Sequence, residues 1–377
     1  MSWKSGTLFQ IIFFVSFLIS GLCINLIQGL GYLLLPKRTF RTLNYYLQWS
    51  MYGQFIFLFD WWSSSRIRMF GPEGQIKEME SYFGHEHALI LCNHHYETDW
   101  LFGWIIAERF TVLGAAKVFS KAILRYVPVI GWNWSLSDII FVKRNWSEDQ
   151  RMLPGAIKRL EDYPYPFWLL IYAEGTRFTP EKHLACQEFK SKANDPSIPD
   201  LKHHLIPRLR GFYHTFINLD LKVVPAVYDV TIVTDRKASS LSYVLSGQPL
   251  SADVYVRRIP LENIGKDEPS VKKFLMQTYK EKDALVENLH QLGHFGPATQ
   301  EFDFPKRRIH SLLNTLALNL IVQIPIFYYV LNTLLTGSAI QISSLVAIIT
   351  LLYFGMKKMI GITKVRDSSE YGNQKNK

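Results

Sequence analysis

The stretch Ala88-Leu89-Ile90-Leu91-Cys92-Asn93-His94-His95-Tyr96-Glu97-Thr98-Asp99 decides the architecture of this chain. Its first five residues are apolar and end in a polar cluster, the mark of a short strand buried on both faces. From Asp99 to position 110 apolar residues return as a helix, so the polar cluster is a strand-to-helix turn. Open α/β sheets place their sites at such turns. Further buried-strand runs are expected at 139–142, 168–173 and 221–228. A helix is expected over 147–162, with Glu148 and Asp149 in its first turn. The reading is an α/β domain over 63–308, a sheet flanked by helices.

Outside that domain the charges disappear. Residues 5–36 and 309–356 contain no Asp, Glu, Lys or Arg, which excludes a plain cytosolic protein. The run 8–35 would reach about 40 Å as a helix, enough for a bilayer core of about 30 Å. Lys4 could head a signal peptide, but the apolar run continues well past Gly21, which favours an uncleaved anchor. Residues 43–62 are rich in Tyr, Phe and Trp yet carry Gln48, Gln54 and Asp60, which suits a helix at the headgroup level. Runs at 312–335 and 339–356, parted only by Thr336-Gly337-Ser338, are expected to form a transmembrane hairpin. There Asn314, Asn319, Gln323 and Asn332 need partners, and Pro325 is expected to kink the first helix. Pro128, Gly131 and Asp138 argue against a span at 127–142. The organisation is thus 1–62 membrane-anchor and interfacial helices, 63–308 catalytic domain, 309–360 hairpin and 361–377 polar tail.

Composition narrows the functional classes. The 377 residues carry 42 Lys and Arg against 32 Asp and Glu, a net charge of +10. A 14% aromatic and 20% charged content argues against disorder. Cys23, Cys92 and Cys186 are odd in number and widely spaced, so a disulfide scaffold or zinc site is not expected. The excess cations suit anionic partners, but no basic–aromatic stacking motif supports nucleic acid, and the membrane runs point to lipid.

Of the eleven histidines only His94 has an aspartate five residues later. On one continuous helix that spacing would leave the side chains about 140° apart. The two can pair only if His94 lies in the turn and Asp99 in the first helical turn, with Thr98 as N-cap. They would then form a base and its orienter, ready to take a hydroxyl proton. His95 and Asp99, four apart, are an alternative pair. His94, His95, Glu97 and Asp99 could also be read as metal ligands, though H-E-x-x-H is absent. Strand alternation buries Cys92 rather than making it a nucleophile. At other strand ends stand Lys143-Arg144, by themselves only a solvated end, and Glu174-Gly175-Thr176-Arg177. In the latter a glycine permits close approach, a hydroxyl donates and an arginine fork matches phosphate. Lys202 to Gly211 is a further basic stretch, followed by Val223-Val224-Pro225-Ala226-Val227.

Asn-His-x4-Asp, Phe-x-Lys-Arg, Glu-Gly-Thr-Arg and Val-Pro-Ala, in this order and spacing, resemble the four motifs of the glycerolipid acyltransferases. The chain is most similar to the gamma/delta branch of the 1-acylglycerol-3-phosphate O-acyltransferases (lysophosphatidic acid acyltransferases), including 252–260 and Tyr371-Gly372-Asn373. That resemblance implies a mixed sheet flanked by helices. It also implies acyl-CoA as co-substrate, a lysophospholipid acceptor esterified at its sn-2 hydroxyl, and no bound cofactor or metal. Lysophosphatidic acid is the expected acceptor, with lysocardiolipin, lysophosphatidylinositol or a catalytically silent scaffold as alternatives. Carried over by motif, His94 is the general base and Asp99 its partner. Arg144, Glu174, Gly175, Thr176 and Arg177 bind the acceptor, Lys121 is a further phosphate contact, and Pro225 is structural or lines the acyl-CoA site. Many relatives have Ser or Thr where Tyr96 stands, and an acidic residue where Ile123 stands. The implied setting is the endoplasmic reticulum membrane, multi-pass, with the catalytic domain facing the cytoplasm; the nuclear envelope and Golgi are alternatives.

Overall fold

The structure, a computed structural model, describes residues 7–235 and 239–363. Two long helices come first, α1 (Thr7–Leu34) and α2 (Lys37–Phe57), and α2 runs into a π-helical turn at Leu58–Trp62. The domain then proceeds through β1 (Arg66–Pro72), α3 (Ile76–Tyr82), β2 (Ala88–Cys92), α4 (Asp99–Arg109), β3 (Ala116–Lys121) and α5 (Ile130–Ser135). Next are β4 (Ile140–Val142), α6 (Trp146–Glu161), β5 (Trp168–Ile171), α7 (Pro180–Ala193) and α8 (Leu209–Ile217). It ends with β6 (Ala226–Thr234), α9 (Leu241–Leu245), β7 (Ser251–Pro260), α10 (Glu268–Leu292) and β8 (Thr299–Phe302). Two further helices follow, α11 (His310–Thr336) and α12 (Ala339–Thr363). The tail from 364, including the 371–373 match, lies outside the described residues.

The strands form one mixed sheet in the order β4-β3-β5-β2-β6-β7-β1-β8. From β4 to β6 all neighbours are parallel, so their C-terminal ends share one edge. β7 is antiparallel to β6 and β8 to β1. β2 sits centrally, Ala88 level with Trp168 on one side and Ala226 on the other. Its alternation feeds two cores. Ile90 and Cys92 pack with Leu101, Phe102 and Ile105 of α4 and with the N-terminal helices. Leu89 and Leu91 pack with Ile157 of α6, Phe212 of α8 and Leu275 of α10. Helices thus cover both faces, as the unbroken apolar reading of β2 requires.

The expected strand at 221–228 is displaced. Val223 and Val224 donate their N–H groups to Asp220 O in a turn, and the strand begins only after Pro225, which has no N–H to give. It then runs through Asp229, whose carboxylate is met inside the fold by Lys282 and Arg257. A charge that reads as a strand end is thereby accommodated within one.

Residues 43–62 also differ from expectation. Gln48, Gln54 and Asp60 are buried in protein: Gln48 accepts from Lys117, Gln54 donates to Ser20, and Asp60 accepts from Arg109 at 2.5 Å. α2 is wedged between α1 and the domain. α1 buries a stripe of Phe13, Phe17, Gly21, Ile24, Gln28 and Gly31 and leaves Leu22, Leu26, Leu30 and Leu33 outward. The polar residues of α11 find partners: Asn314 bonds Ser50 twice, Asn319 donates to Thr315 O, Gln323 donates to Ile12 O, and Asn332 O accepts from Thr336. Pro325 is held within the helix.

Candidate active site

The turn leaving β2 is fixed from both sides. Asn93 clamps β6, donating to Ile232 O at 2.9 Å and accepting from Ile232 N at 2.8 Å. His94 gives its backbone N–H to Glu174 Oε1 (2.9 Å), and its carbonyl accepts from Phe178 N (2.8 Å). Asp99 opens α4 and is almost wholly buried. Its Oδ2 accepts from the backbone of His95 (2.8 Å) and Tyr96 (3.0 Å) and lies 2.9 Å from His94 Nδ1. In all three contacts Asp99 stands as the acceptor, at the N-terminus of α4. A carboxylate only accepts, so Nδ1 carries the imidazole proton and Nε2 keeps its lone pair.

Thr98 occupies the N-cap, but its hydroxyl engages Ser239 Oγ and makes no capping bond; Asp99 caps the turn instead. The His94 ring stacks on Tyr172, centroids 4.0 Å apart and planes 15° from parallel. Burial holds the imidazole below its ordinary pKa; Asp99 opposes this, and Arg177 and Lys182 add to it. His94 is therefore a neutral base near pH 7, with a side chain still 19% exposed. His95 turns away, toward Phe178 and His204. Cys92 is buried and its thiol pushed up by desolvation, which leaves it inert.

Around this base the parallel strand ends gather cations. Lys121 ends β3, Arg144 follows β4, and Arg177 lies in the turn after β5. Arg144 adopts a left-handed φ of 64°, held by its N–H to Asp149 Oδ2 at 2.8 Å, and its guanidinium reaches Gly175 O at 3.5 Å. Gly175 has φ 71°, a backbone conformation that favours glycine, and a Cβ there would also press on the Arg208 side chain, 3.0 Å from its Cδ. Lys182 Nζ donates to Thr176 Oγ1 (3.0 Å) and Arg177 O (3.1 Å). Burial, then Lys121 and Arg177, and more weakly Arg144, depress the Lys182 pKa. Burial and Arg208 depress that of Arg144. Cations brought this close repel one another, an arrangement chemically suited to holding an anion.

Two of the expected residues stand apart. Glu174 is buried and accepts from the backbone of His94 and Leu205, with its carboxyl pushed up to about 8 by desolvation, which those two bonds oppose. It ties the β2 and β5 loops together rather than joining the exposed cations. Pro225 precedes β6 at the opposite end of the sheet, about seven residues or roughly 20 Å along the strands from His94. Its carbonyl accepts from Leu261 N at 2.8 Å, a structural position.

Lys182, Arg208 and Tyr172 escaped the motif reading. Arg208 stands in the basic stretch 202–211, which offered a signal. Lys182 offered only the helix start Thr179-Pro180, where Thr179 Oγ1 caps Lys182 N at 3.3 Å. Tyr172 looked like one more residue of a buried strand.

Residues 73–229 match the family Acyltransferase and residues 243–318 the family Acyltransferase C-terminus. Over 95% of its length the chain is 40% identical to "1-acyl-sn-glycerol-3-phosphate acyltransferase gamma" of Homo sapiens, covering 93% of that protein. It is 38% identical to "1-acyl-sn-glycerol-3-phosphate acyltransferase delta" of Homo sapiens over 99% of this chain and 97% of that one. The Bos taurus delta protein is likewise 38% identical, over 99% and 97%.

Proposed function

The chain belongs to the 1-acylglycerol-3-phosphate acyltransferase family, near its gamma and delta members, and on that premise we propose that it moves an acyl group from acyl-CoA to the sn-2 hydroxyl of lysophosphatidic acid. The observation that carries this reading is the neutral His94–Asp99 pair opening beside Lys121, Arg144, Arg177 and Lys182. The acceptor hydroxyl gives its proton to His94 Nε2 as its oxygen attacks the thioester carbonyl. The tetrahedral intermediate collapses, the C–S bond breaks, and CoA leaves as thiol with the proton from His94. Acyl-CoA is a co-substrate, and this chemistry needs no bound cofactor or metal. A phosphate monoester carries up to two negative charges for the cations to meet, where a phosphodiester offers one, which favours lysophosphatidic acid over lysocardiolipin or lysophosphatidylinositol.

The setting follows from the apolar helices. α1 and α11 are each long enough to cross a bilayer, and α11 with α12 would form a hairpin closed at Gly337-Ser338. Lys37, Arg38 and Arg41 follow α1, Lys306, Arg307 and Arg308 precede α11, and Lys357 and Lys358 lie near the end of α12. The positive-inside rule favours a cytoplasmic side for these clusters and for the domain, and the membrane we propose is that of the endoplasmic reticulum, whose cytoplasmic face has acyl-CoA at hand.

The test is transfer of labelled acyl-CoA by purified full-length protein to a panel of lysophospholipids, with an acceptor-free control. Highest kcat/KM for lysophosphatidic acid is expected. Thioester hydrolysis that ignores the acceptor would make the protein a hydrolase, and no turnover with any acceptor would make it a scaffold.

A further inference from the structure

Among the described residues two lysines are buried, Lys117 and Lys282. Lys117 meets Gln48 and Tyr163 near the start of β3, away from the strand ends that carry the site. Lys282, on α10, is wholly inaccessible and reaches those strand ends themselves. α10 packs on the face of β2 that Leu89 and Leu91 supply, so the Lys282 stem crosses an apolar layer before its ammonium meets the sheet. There Nζ donates to Val230 O at 2.6 Å and to Leu91 O at 3.1 Å. It lies 3.4 Å from Thr231 Oγ1 and pairs with the Asp229 carboxylate.

These atoms frame the turn that carries the base. β2 and β6 pair as far as Cys92 and Val230, and His94 comes two residues after Cys92. Beyond that last pair the Asn93 side chain holds Ile232; at the pair itself Lys282 takes a carbonyl from each strand. The neighbours of Lys282 hold α10 to the same region. Glu281 pairs with Arg257, which also holds Asp229. Asp283 holds the 202–204 turn, and the next residue, Leu205, gives its N–H to Glu174, which accepts from His94 as well. Stability alone does not account for such a lysine. Desolvation largely offsets the attraction of a buried ion pair, and apolar replacement of the pair is often neutral or stabilising. What the ammonium supplies is direction, with protons aimed at fixed points in two strands. Direction matters here, because misplacing a catalytic group by about 1 Å can cost about a hundredfold in rate.

We infer that Lys282 is a positioning residue for the acyl transfer: its ammonium, tied to Leu91 O and Val230 O, fixes the end of β2 against β6 and so sets where His94 Nε2 meets the acceptor hydroxyl. Lys282 touches neither substrate and acts through the backbone of the turn. The inference rests on the acyl-transfer reading above.

The test compares Lys282→Met with Lys282→Met/Asp229→Asn in purified full-length protein. It reads melting temperature, kcat per folded molecule, and KM for acyl-CoA and for lysophosphatidic acid. Lys282→Met keeps an apolar stem and leaves Asp229 to Arg257 alone. Its melting temperature should fall, and its kcat should drop about ten- to a hundredfold with both KM values within about twofold of wild type. The double variant removes the uncompensated charge as well. It should regain most of the melting temperature while kcat stays at least about tenfold down, which a merely structural role would not produce. A double variant with kcat within about threefold of wild type overturns the inference, because the ammonium then only neutralises Asp229. A single variant with kcat that close to wild type overturns it too, and so does a loss carried by KM. Where the single variant does not fold, the double variant decides alone; if that does not fold either, Lys282 serves the fold and the inference is overturned. Wild type that transfers to no acceptor sinks the functional reading instead, an outcome read before any variant is made.

Discussion

Two histidine–aspartate pairs lie within this domain, and they are nearly the same in geometry. His94 Nδ1 is 2.9 Å from Asp99 Oδ2, and His204 Nδ1 is 3.0 Å from Asp283 Oδ1. Burial depresses both imidazoles, and in both the aspartate opposes it. The difference is what each remaining nitrogen meets. The His94 side chain is 19% exposed and stands beside the cations at the sheet edge. The His204 side chain is wholly inaccessible, and its Nε2 has no hydrogen-bond partner among the described residues. A carboxylate-oriented imidazole is thus no site in itself; access and neighbouring cations are what set His94 apart. The second pair has a different task. Asp283 also accepts from the backbone of Lys202 and His203, both at 2.8 Å, and so ties the 202–204 turn to α10.

The comparison breaks most sharply at the base. His94→Ala is expected to lower kcat by about 10²–10⁴-fold in membranes with equal protein. Activity within a few-fold of wild type would mean that neither pair is the catalytic one. Next comes the anion site. Arg177→Ala should cost about ten- to a hundredfold in kcat/KM for lysophosphatidic acid, mostly through the acceptor KM. An equal loss with a phosphate-free acceptor would show Arg177 to be structural.

The buried pair should respond in stability rather than turnover. His204→Ala removes one of the three hydrogen bonds to Asp283 and leaves a buried cavity, and should cost about 2–3 kcal/mol, read as a lower melting temperature. Its kcat per folded molecule should stay within about threefold, and a hundredfold loss would erase the distinction between the pairs. The smallest effect is in pH. As the proposed base His94 would have to be neutral, and its pKa is depressed, so kcat/KM should fall on acidification with a midpoint below 6.5. Asp99→Asn removes the group that opposes the depression and should move that midpoint lower still, on a much reduced plateau. A midpoint above 7 in the wild type would contradict the buried, neutral base.

Glycosylation sharpens the topology in the same way. Of the sequons at Asn133 and Asn145, Asn133 is wholly buried and accepts from Tyr52 Oη at 3.1 Å, so only Asn145 lies exposed on the folded surface. No mobility shift with N-glycosidase is expected, and a shift lost in Asn145→Gln would place the domain in the lumen.

The strand-to-helix unit at 88–99 was open to reading because each part of it is local. A five-residue apolar run, a polar turn and an acidic residue at a helix start act through neighbours in sequence, and the 94–99 spacing admits only one way to pair. Arg177 was legible from its glycine-bearing strand end, whereas Arg144 read as a solvated end and entered only through the family resemblance; parallel strands bring both ends to one edge. The extent of β6 was not. Asp229 inside a strand contradicts its local pattern until Lys282, 53 positions later, and Arg257 come to meet it. Gln48, Gln54 and Asp60 likewise read as a water-seeking face, and only packing of α2 between α1 and the domain supplies their partners. The sequence alone determined the apolar helices, the α/β order and the His94–Asp99 pair, because those follow from periodicity and short spacing. Tertiary structure decided that Glu174 ties loops together, that Pro225 stands far from the base, that Lys182 and Arg208 join the cations, and that His204–Asp283 exists at all. Burial and charge neutralisation across tens of residues depend on where the chain returns, and no local pattern encodes that.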